Sequence, residues 1–433
     1  MDPHKILFIS YLFSPENTIG AIRPTKIAKY LALRNNIVDV VSVKNKVHRD
    51  EYFVNDAKYV NHLIELDDGP IVSHIKKYYG NVSTKNKSVI VLPRSVKPKW
   101  MALKHFYRQG LLFLSSIDFL IKYREYLKNN SIQLSKYDIL ITSYGPLGSL
   151  LCGLYTKLIC KNIFWISDYR DPLVHEDTSS AFRPILTILQ KLSTLQADKL
   201  IFVTNGYMDR VLKGSYKYKA SVMVSGYDLE DLCNVGVDKS GSEKYTISYL
   251  GSLYEGKRTL EPIFNALKKL SEKDIININD VIFNYAGNDI AYLIEQASKY
   301  NLEKIIHNYG YLSREKSISV QHNSRVLVIS TWNSPKESGV LPGKFVEYLL
   351  FKKPIIGIVS GTTNSELAKV IQENKIGCVY EYHHEENNTP ILEEYIEGDY
   401  KIFLKQKPSI FTPSDDFYQK YNYAKIIDQL LVF

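Results

Sequence analysis

Cysteine is scarce in this chain. Its 433 residues hold four, Cys152, Cys160, Cys233 and Cys378, with neither a CxxC pair nor a Cys/His ligand spacing. That usage argues for a reducing compartment and offers neither a disulfide framework nor a metal site. No apolar run reaches the length of a membrane span. The opening MDPHKILFIS enters a strand pattern without the layout of a signal peptide, so a cytoplasmic setting is expected. Two nucleotide fingerprints are also missing. The loop after the first strand, YLFSPENTIGAIRP, has one glycine, Gly20, and not GxGxxG. The second strand runs into VKNK, basic where a ribose-binding acid would stand. With no GxxxxGK[ST] either, nicotinamide and P-loop chemistry are set aside. No Asp-x-Asp triplet occurs, which leaves no pattern for a metal-bridged diphosphate.

What is present is the composition of a globular protein, 45% apolar and 23% charged, long enough for two domains with full cores. The formal charge is +9, and much of it is local. From Lys85 to Lys128 there are ten Lys or Arg residues against Asp118 and Glu125, with Trp100, Phe106, Phe113 and Phe119 among them. This segment reads as a solvated face or as a docking surface for anionic lipid headgroups or an acidic substrate. Nucleic acid ranks last, because no recognition motif accompanies the charge.

Short β-branched runs alternate with helical periods along most of the chain. KILFIS, IVDVVSV, SVIVLP, YDILITS, NIFWISD and DKLIFVT read as strands, with a helix from Pro24 to Arg34. CNVGVDKSGSEK, from Cys233 to Lys244, reads as a linker. After it come YTISYLG, VIFNYAG, IIHNYGY, RVLVIST and PIIGIVS, with helices from Leu260, Ile290 and Arg314 between them. The expectation is two tandem Rossmann-like, doubly wound α/β domains, residues 1–232 and 233–416, facing across a cleft. A last helix, about 417–433, would pack back on the first domain. Ligands of such sheets bind where strands end, so the loops after strands carry the function.

YLGSLYEGKRTL sets Gly251 and Ser252 at a strand end, with Lys257 and Arg258 before a helix. Two cations beside free backbone N–H groups suit a diphosphate; the plainer reading is a glycine turn with solvent-facing cations. GYLSRE places Gly310, Tyr311 and Leu312 where backbone groups can meet a base edge. In ESGVLPGKFVEYL, small Ser338 and Gly339 precede the apolar turn of Val340, Leu341, Pro342 and Gly343. Lys344 and Glu347 then share one helix face, suited to a phosphate and a ribose diol respectively, or to a simple surface ion pair. DYRD puts Asp168, Arg170 and Asp171 after NIFWIS, either to orient an acceptor hydroxyl and hold the transferred sugar or to form an internal salt-bridge lock.

GSLYEGKR, GYLSRE and LPGKFVEYLLFKKPIIG together resemble the donor half of GT-B glycosyltransferases of the family 4 type. They are similar to the branch with a PGKxxEYL motif found in bacterial surface-polysaccharide clusters. The resemblance extends to Gly20 and Arg23, SDYRDP and SGYD, and so spans nearly the whole chain. It implies a nucleoside-diphosphate sugar as co-substrate, no other cofactor, and a glycan or lipid-linked acceptor. Sugar transfer would be retaining and metal-independent. It implies Lys257 on the diphosphate, Glu347 on the ribose, and Gly20 and Arg23 over the donor phosphates. His175 lies near the position of a histidine common in the family. Where the family carries a first glutamate, this chain has Gly339, with Glu337 two residues earlier; where it often carries an arginine, this chain has Ser252. A nucleotide-sugar epimerase and a non-catalytic GT-B subunit are the rival readings. A lipid-linked acceptor would bring the 85–128 segment to the inner membrane face.

Overall fold

A computed structural model describes residues 3–16, 18–44, 56–79, 98–175, 178–233, 243–333, 341–362 and 366–431. The expected strand SVIVLP lies outside them, as do Glu337, Ser338, Gly339 and Val340. The chain divides into two compact units: 1–223 with 427–433, and 224–426.

In the first unit the strands are β1 (Lys5–Ser10), β2 (Ile37–Val43), β3 (His62–Leu66), β4 (Ile139–Tyr144), β5 (Phe164–Tyr169), β6 (Lys199–Phe202) and β7 (Ala220–Val222). They form one parallel sheet in the order β3-β2-β1-β4-β5-β6-β7. The central strands are buried along almost their whole length, as expected when helices cover both faces of a parallel sheet. Leu140, Trp165, Leu200 and Phe202 lie in its core.

The second unit repeats the plan with β8 (Tyr245–Leu250), β9 (Val281–Ala286), β10 (Ile306–Asn308), β11 (Val326–Asn333), β12 (Ile355–Gly361) and β13 (Gly377–Glu381). Their order is β10-β9-β8-β11-β12-β13, again parallel. Strand order therefore reverses between β1 and β4 in one unit and between β8 and β11 in the other. The loops that leave those strands are where doubly wound sheets bind ligands.

Three expectations are corrected. The first helix is Ile19–Leu33 and encloses Pro24, instead of starting there. The last helix is not continuous: Asp415–Gln419 and Tyr423–Ile426 are separate helices, followed by a 3₁₀ turn at Ile427–Leu430. The chain division falls at 223/224 instead of 232/233, for a reason distant in sequence. Tyr227 N–H donates to the Tyr421 carbonyl at 2.6 Å, and Tyr423 N–H to that of Tyr227 at 3.1 Å. These bonds tie the SGYD turn to the second unit. The 3₁₀ turn belongs to the first, where Arg34 pairs with Asp428 and Lys199 donates to the carbonyls of Gln429 and Leu430.

Candidate functional site

In the second unit β8 ends at Leu250, and Gly251, Ser252 and a short 3₁₀ turn carry the chain to Lys257 and Arg258. The next loop over, after β9, fixes this one. Asp289 accepts hydrogen bonds from Ser252 Oγ at 2.5 Å and from Leu253 N–H at 2.6 Å. The Ser252 carbonyl in turn accepts from Tyr249 Oη at 2.8 Å and from the Arg258 guanidinium at 3.3 Å. Gly287 lies against Gly251: a Cβ on it would stand 2.4 Å from the Gly251 carbonyl oxygen. One buttressed loop thus presents both cations.

Trp332, near the end of β11, stands on the other side of the same switch point. The Arg258 guanidinium lies 4.4 Å from the ring centre of Tyr254 and 5.4 Å from that of Trp332, and Lys257 Nζ 5.6 Å from Trp332. Tyr254 and Trp332 meet edge to face at 5.5 Å. Ser360 Oγ, at the end of β12, donates to the carbonyls of Lys257 and Thr331, each at 3.2 Å. Two cations and two aromatic rings therefore converge where the topology predicts a ligand. Such contacts stabilise a cation by about 0.5–1 kcal/mol at an exposed site, which helps to hold both side chains in position.

Glu347 forms a second cluster. It sits on the helix Gly343–Leu349, its side chain only 6% exposed. Arg314 Nη1 is 2.6 Å from its Oε2; Gln321 Nε2 donates to Oε1, and Lys344 Nζ is 3.4 Å from Oε1. Burial by itself pushes this carboxyl up, but the charges of Arg314 and Lys344 and the hydrogen bonds from Arg314 and Gln321 win, holding it at about 2. Gly310, with φ +65°, makes the turn ahead of the helix Arg314–His322 that delivers Arg314 and Gln321, and Tyr311 is exposed on that turn. Leu341 and Pro342 lead into the helix bearing Glu347, which Gly343 opens.

In the first unit Arg170 spans the β1/β4 switch point. Its guanidinium donates to the carbonyl of Gly20, after β1, and to that of Gly145, after β4, the latter at 2.6 Å. Behind it, Arg23 grips both oxygens of the fully buried Asp168, with Nη2–Oδ1 at 2.7 Å, and Ser143 Oγ donates to Oδ2 at 2.9 Å. Arg23 Nη2 also donates to the Met223 carbonyl at 3.0 Å. Of the two readings of DYRD, Asp168 and Arg170 take the internal lock. Asp171 is different: its side chain is 59% exposed, with Arg170 Nε 3.5 Å away.

No protein-family model matches the sequence, and neither does any curated protein. Solved structures do match, end to end. Sucrose-phosphate synthase from Thermosynechococcus elongatus aligns with TM-score 0.60 at 13% identity, over 98% of this chain and 97% of its own. The lipopolysaccharide outer core galactosyltransferase WaaB, in its apo form, gives 0.57 at 13%, over 99% of each chain. A putative UDP-N-acetylglucosamine 2-epimerase from Listeria monocytogenes gives 0.51 at 13%, over 100% of this chain and 95% of its own. The fold is GT-B.

Within the GT-B framework the structure brings Gly251, Ser252, Lys257 and Arg258 together at one switch point, and Lys344 together with Glu347 nearby in sequence on one helix. Gly20, Arg23, Asp168 and Arg170 form a separate cluster in the other unit. The sequence assigns no individual role to four residues that organise these sites: Asp289, Trp332, Arg314 and Gln321. A signal existed for two of them. Asp289 lies in the strand-to-helix turn AGND, and Arg314 in the quoted GYLSRE, but neither partner could be named without the fold.

Proposed function

We propose that this GT-B protein is a glycosyltransferase moving a sugar from a nucleoside-diphosphate sugar to a hydroxyl of a glycan or lipid-linked acceptor. The observation that carries the reading is the convergence of Lys257 and Arg258 with Tyr254 and Trp332 at the β8/β11 switch point. A diphosphate gathers negative charge as the bond to its sugar breaks, and fixed cations there lower the barrier for departure. Glu347 supplies the acceptor for a ribose diol, and the Gly310–Leu312 turn, Gly339, Val340 and Leu341 take the base. Lys344 adds positive charge beside Glu347. Asp171 is the solvent-facing carboxylate at the end of β5 and is assigned to the acceptor hydroxyl. Asp168 and Arg170 hold that loop, with Arg23 and Gly20, in place.

By the family resemblance the transfer is retaining and belongs to polysaccharide biosynthesis. The sequence has no Asp-x-Asp pattern, so the protein's own cations are assigned the leaving-group charge. The basic segment 85–128 is assigned to an anionic membrane surface at the cytoplasmic face; Phe106 and Tyr107, on the helix Pro98–Asn129, are exposed there. Among the described residues no helix is long and apolar enough to cross a membrane.

A second reading, nucleotide-sugar epimerase, is favoured by one observation, the epimerase among the structural neighbours. Replacing Lys257 or Glu347 by Ala tests the donor site: turnover of a cleaved donor should fall by about 100-fold or more in each. Near-normal turnover in either variant removes that residue from the site. Donor conversion with no acceptor present favours the epimerase.

A further inference from the structure

We propose that Arg314 is a positioning residue for nucleotide recognition, fixing both the direction and the ionised state of the Glu347 carboxylate. The inference rests on Glu347 being the ribose contact. It starts from counting acceptor sites. An ionised carboxylate offers about four lone-pair positions. Gln321 Nε2 and Lys344 Nζ both approach Oε1, and Arg314 Nη1 takes one position on Oε2. The remaining position on Oε2 is the one left for a ligand hydroxyl, so the rotamer set by Arg314 decides where that hydroxyl must come.

A ribose hydroxyl that donates needs an ionised acceptor, and Glu347 is almost sealed from water. Lys344 is the weaker partner, at 3.4 Å on a side chain 29% exposed, whereas Arg314 is 9% exposed and makes the 2.6 Å contact. The groups facing the carboxylate are Arg314 and Gln321 from one helix and Lys344 from its own. Asp231, on the helix Glu230–Cys233, stands 3.9 Å from Arg314 Nη2 and tempers its charge. Without Arg314 the buried carboxyl keeps one cation against its desolvation. It then takes up a proton in the mildly acidic range and turns from acceptor into donor. Arg314 is itself fixed at the first position of its helix, where the Ser313 Oγ cap accepts from Lys316 N–H at 3.3 Å.

The test is direct binding of nucleoside diphosphates (UDP, GDP, ADP, CDP and dTDP) by calorimetry between pH 5 and 8. Wild type is compared with Arg314→Lys, Arg314→Met and Glu347→Gln, and each variant's Kd is expressed relative to wild type at the same pH, which cancels titration of the ligand. Arg314→Met should weaken binding about tenfold at pH 8 and progressively more toward pH 5. Arg314→Lys should restore part of the affinity and most of the pH independence. Glu347→Gln should show a pH-independent loss, with little further effect of Arg314→Met in that background. A ratio for Arg314→Met, or for Arg314→Lys should the Met variant not fold, that stays near one from pH 5 to 8 overturns the proposal and leaves the donor site standing. Failure of wild type to bind any of the five overturns the donor-site reading and this inference with it.

Discussion

Arg170 donates to the Gly20 carbonyl, the one acceptor in the first helix that Pro24 cannot reach. A helical N–H bonds the carbonyl four residues back, and proline has no N–H, so Pro24 leaves Gly20 open. The guanidinium fills that gap and also holds Gly145, where a Cβ would stand 2.7 Å from Arg170 Nη2. Arg170→Met strands both carbonyls and should cost about 2 kcal/mol, read as a lower urea midpoint. An unchanged midpoint would show that the staple is dispensable.

The Arg23–Asp168 pair behind it is buried on both sides, so removing one partner leaves a charge that water cannot reach. Asp168→Ala should destabilise by about 3–5 kcal/mol, and the double variant Arg23→Met/Asp168→Leu by clearly less. Equal losses in the single and double variants would argue against a buried pair as the source.

Glu347 links stability to acid. Its folded value, about 2, lies below the ordinary 4.5 of a glutamate, so the folded state binds its proton less readily than the unfolded chain. The resulting stabilisation, on the order of 3 kcal/mol, is complete above pH about 4.5 and is lost as pH falls toward 2. Chemical denaturation from pH 6 to 3 should therefore show a steeper acid loss in wild type than in Glu347→Gln. Parallel curves would mean that the carboxyl is not held ionised by its neighbours.

Gly287 separates the loops after β8 and β9. Its added Cβ would meet the backbone oxygen of Gly251, which cannot swing away as a side chain can. Gly287→Ala should spread the loop carrying Lys257 and Arg258, raising the donor KM about tenfold while lowering stability by about 1–3 kcal/mol. A donor KM within twofold of wild type would place the contact outside the site.

Much of this was legible in the residues. Apolar β-branched runs marked β1, β2, β4, β5 and β6, and β8, β9, β11 and β12, because strands buried on both faces are apolar throughout. The short edge strand β10 lay within the expected run IIHNYGY, although its own residues are half-buried or exposed. The other three edge strands, β3, β7 and β13, carry no such run: HLIEL, ASV and GCVYE are short, and the first two are only partly buried. The loops at strand ends pointed to Gly251, Ser252, Lys257 and Arg258 as candidates, because ligands of such sheets bind where strands end, although glycine turns with exposed cations are common in any α/β fold. Partnerships were invisible. Asp289 meets Ser252 because parallel pairing sets the loops after β8 and β9 side by side, and Arg314 meets Glu347 because the helices before and after β11 lie against each other. The Arg23–Asp168 bond likewise joins residues 145 positions apart, and no local pattern encodes such a pair.

The central claim is acceptor-dependent cleavage of a nucleotide sugar through the cations at the β8/β11 switch point. The direct measurement is nucleoside-diphosphate release from a donor panel, with and without a membrane lipid extract, for wild type and Lys257→Ala. Lys257 is exposed, so its replacement should shift stability by less than about 0.5 kcal/mol. The expected result is release by wild type only when acceptor is present, reduced about 100-fold in Lys257→Ala. Conversion of donor without acceptor, or equal release by both proteins, would contradict it.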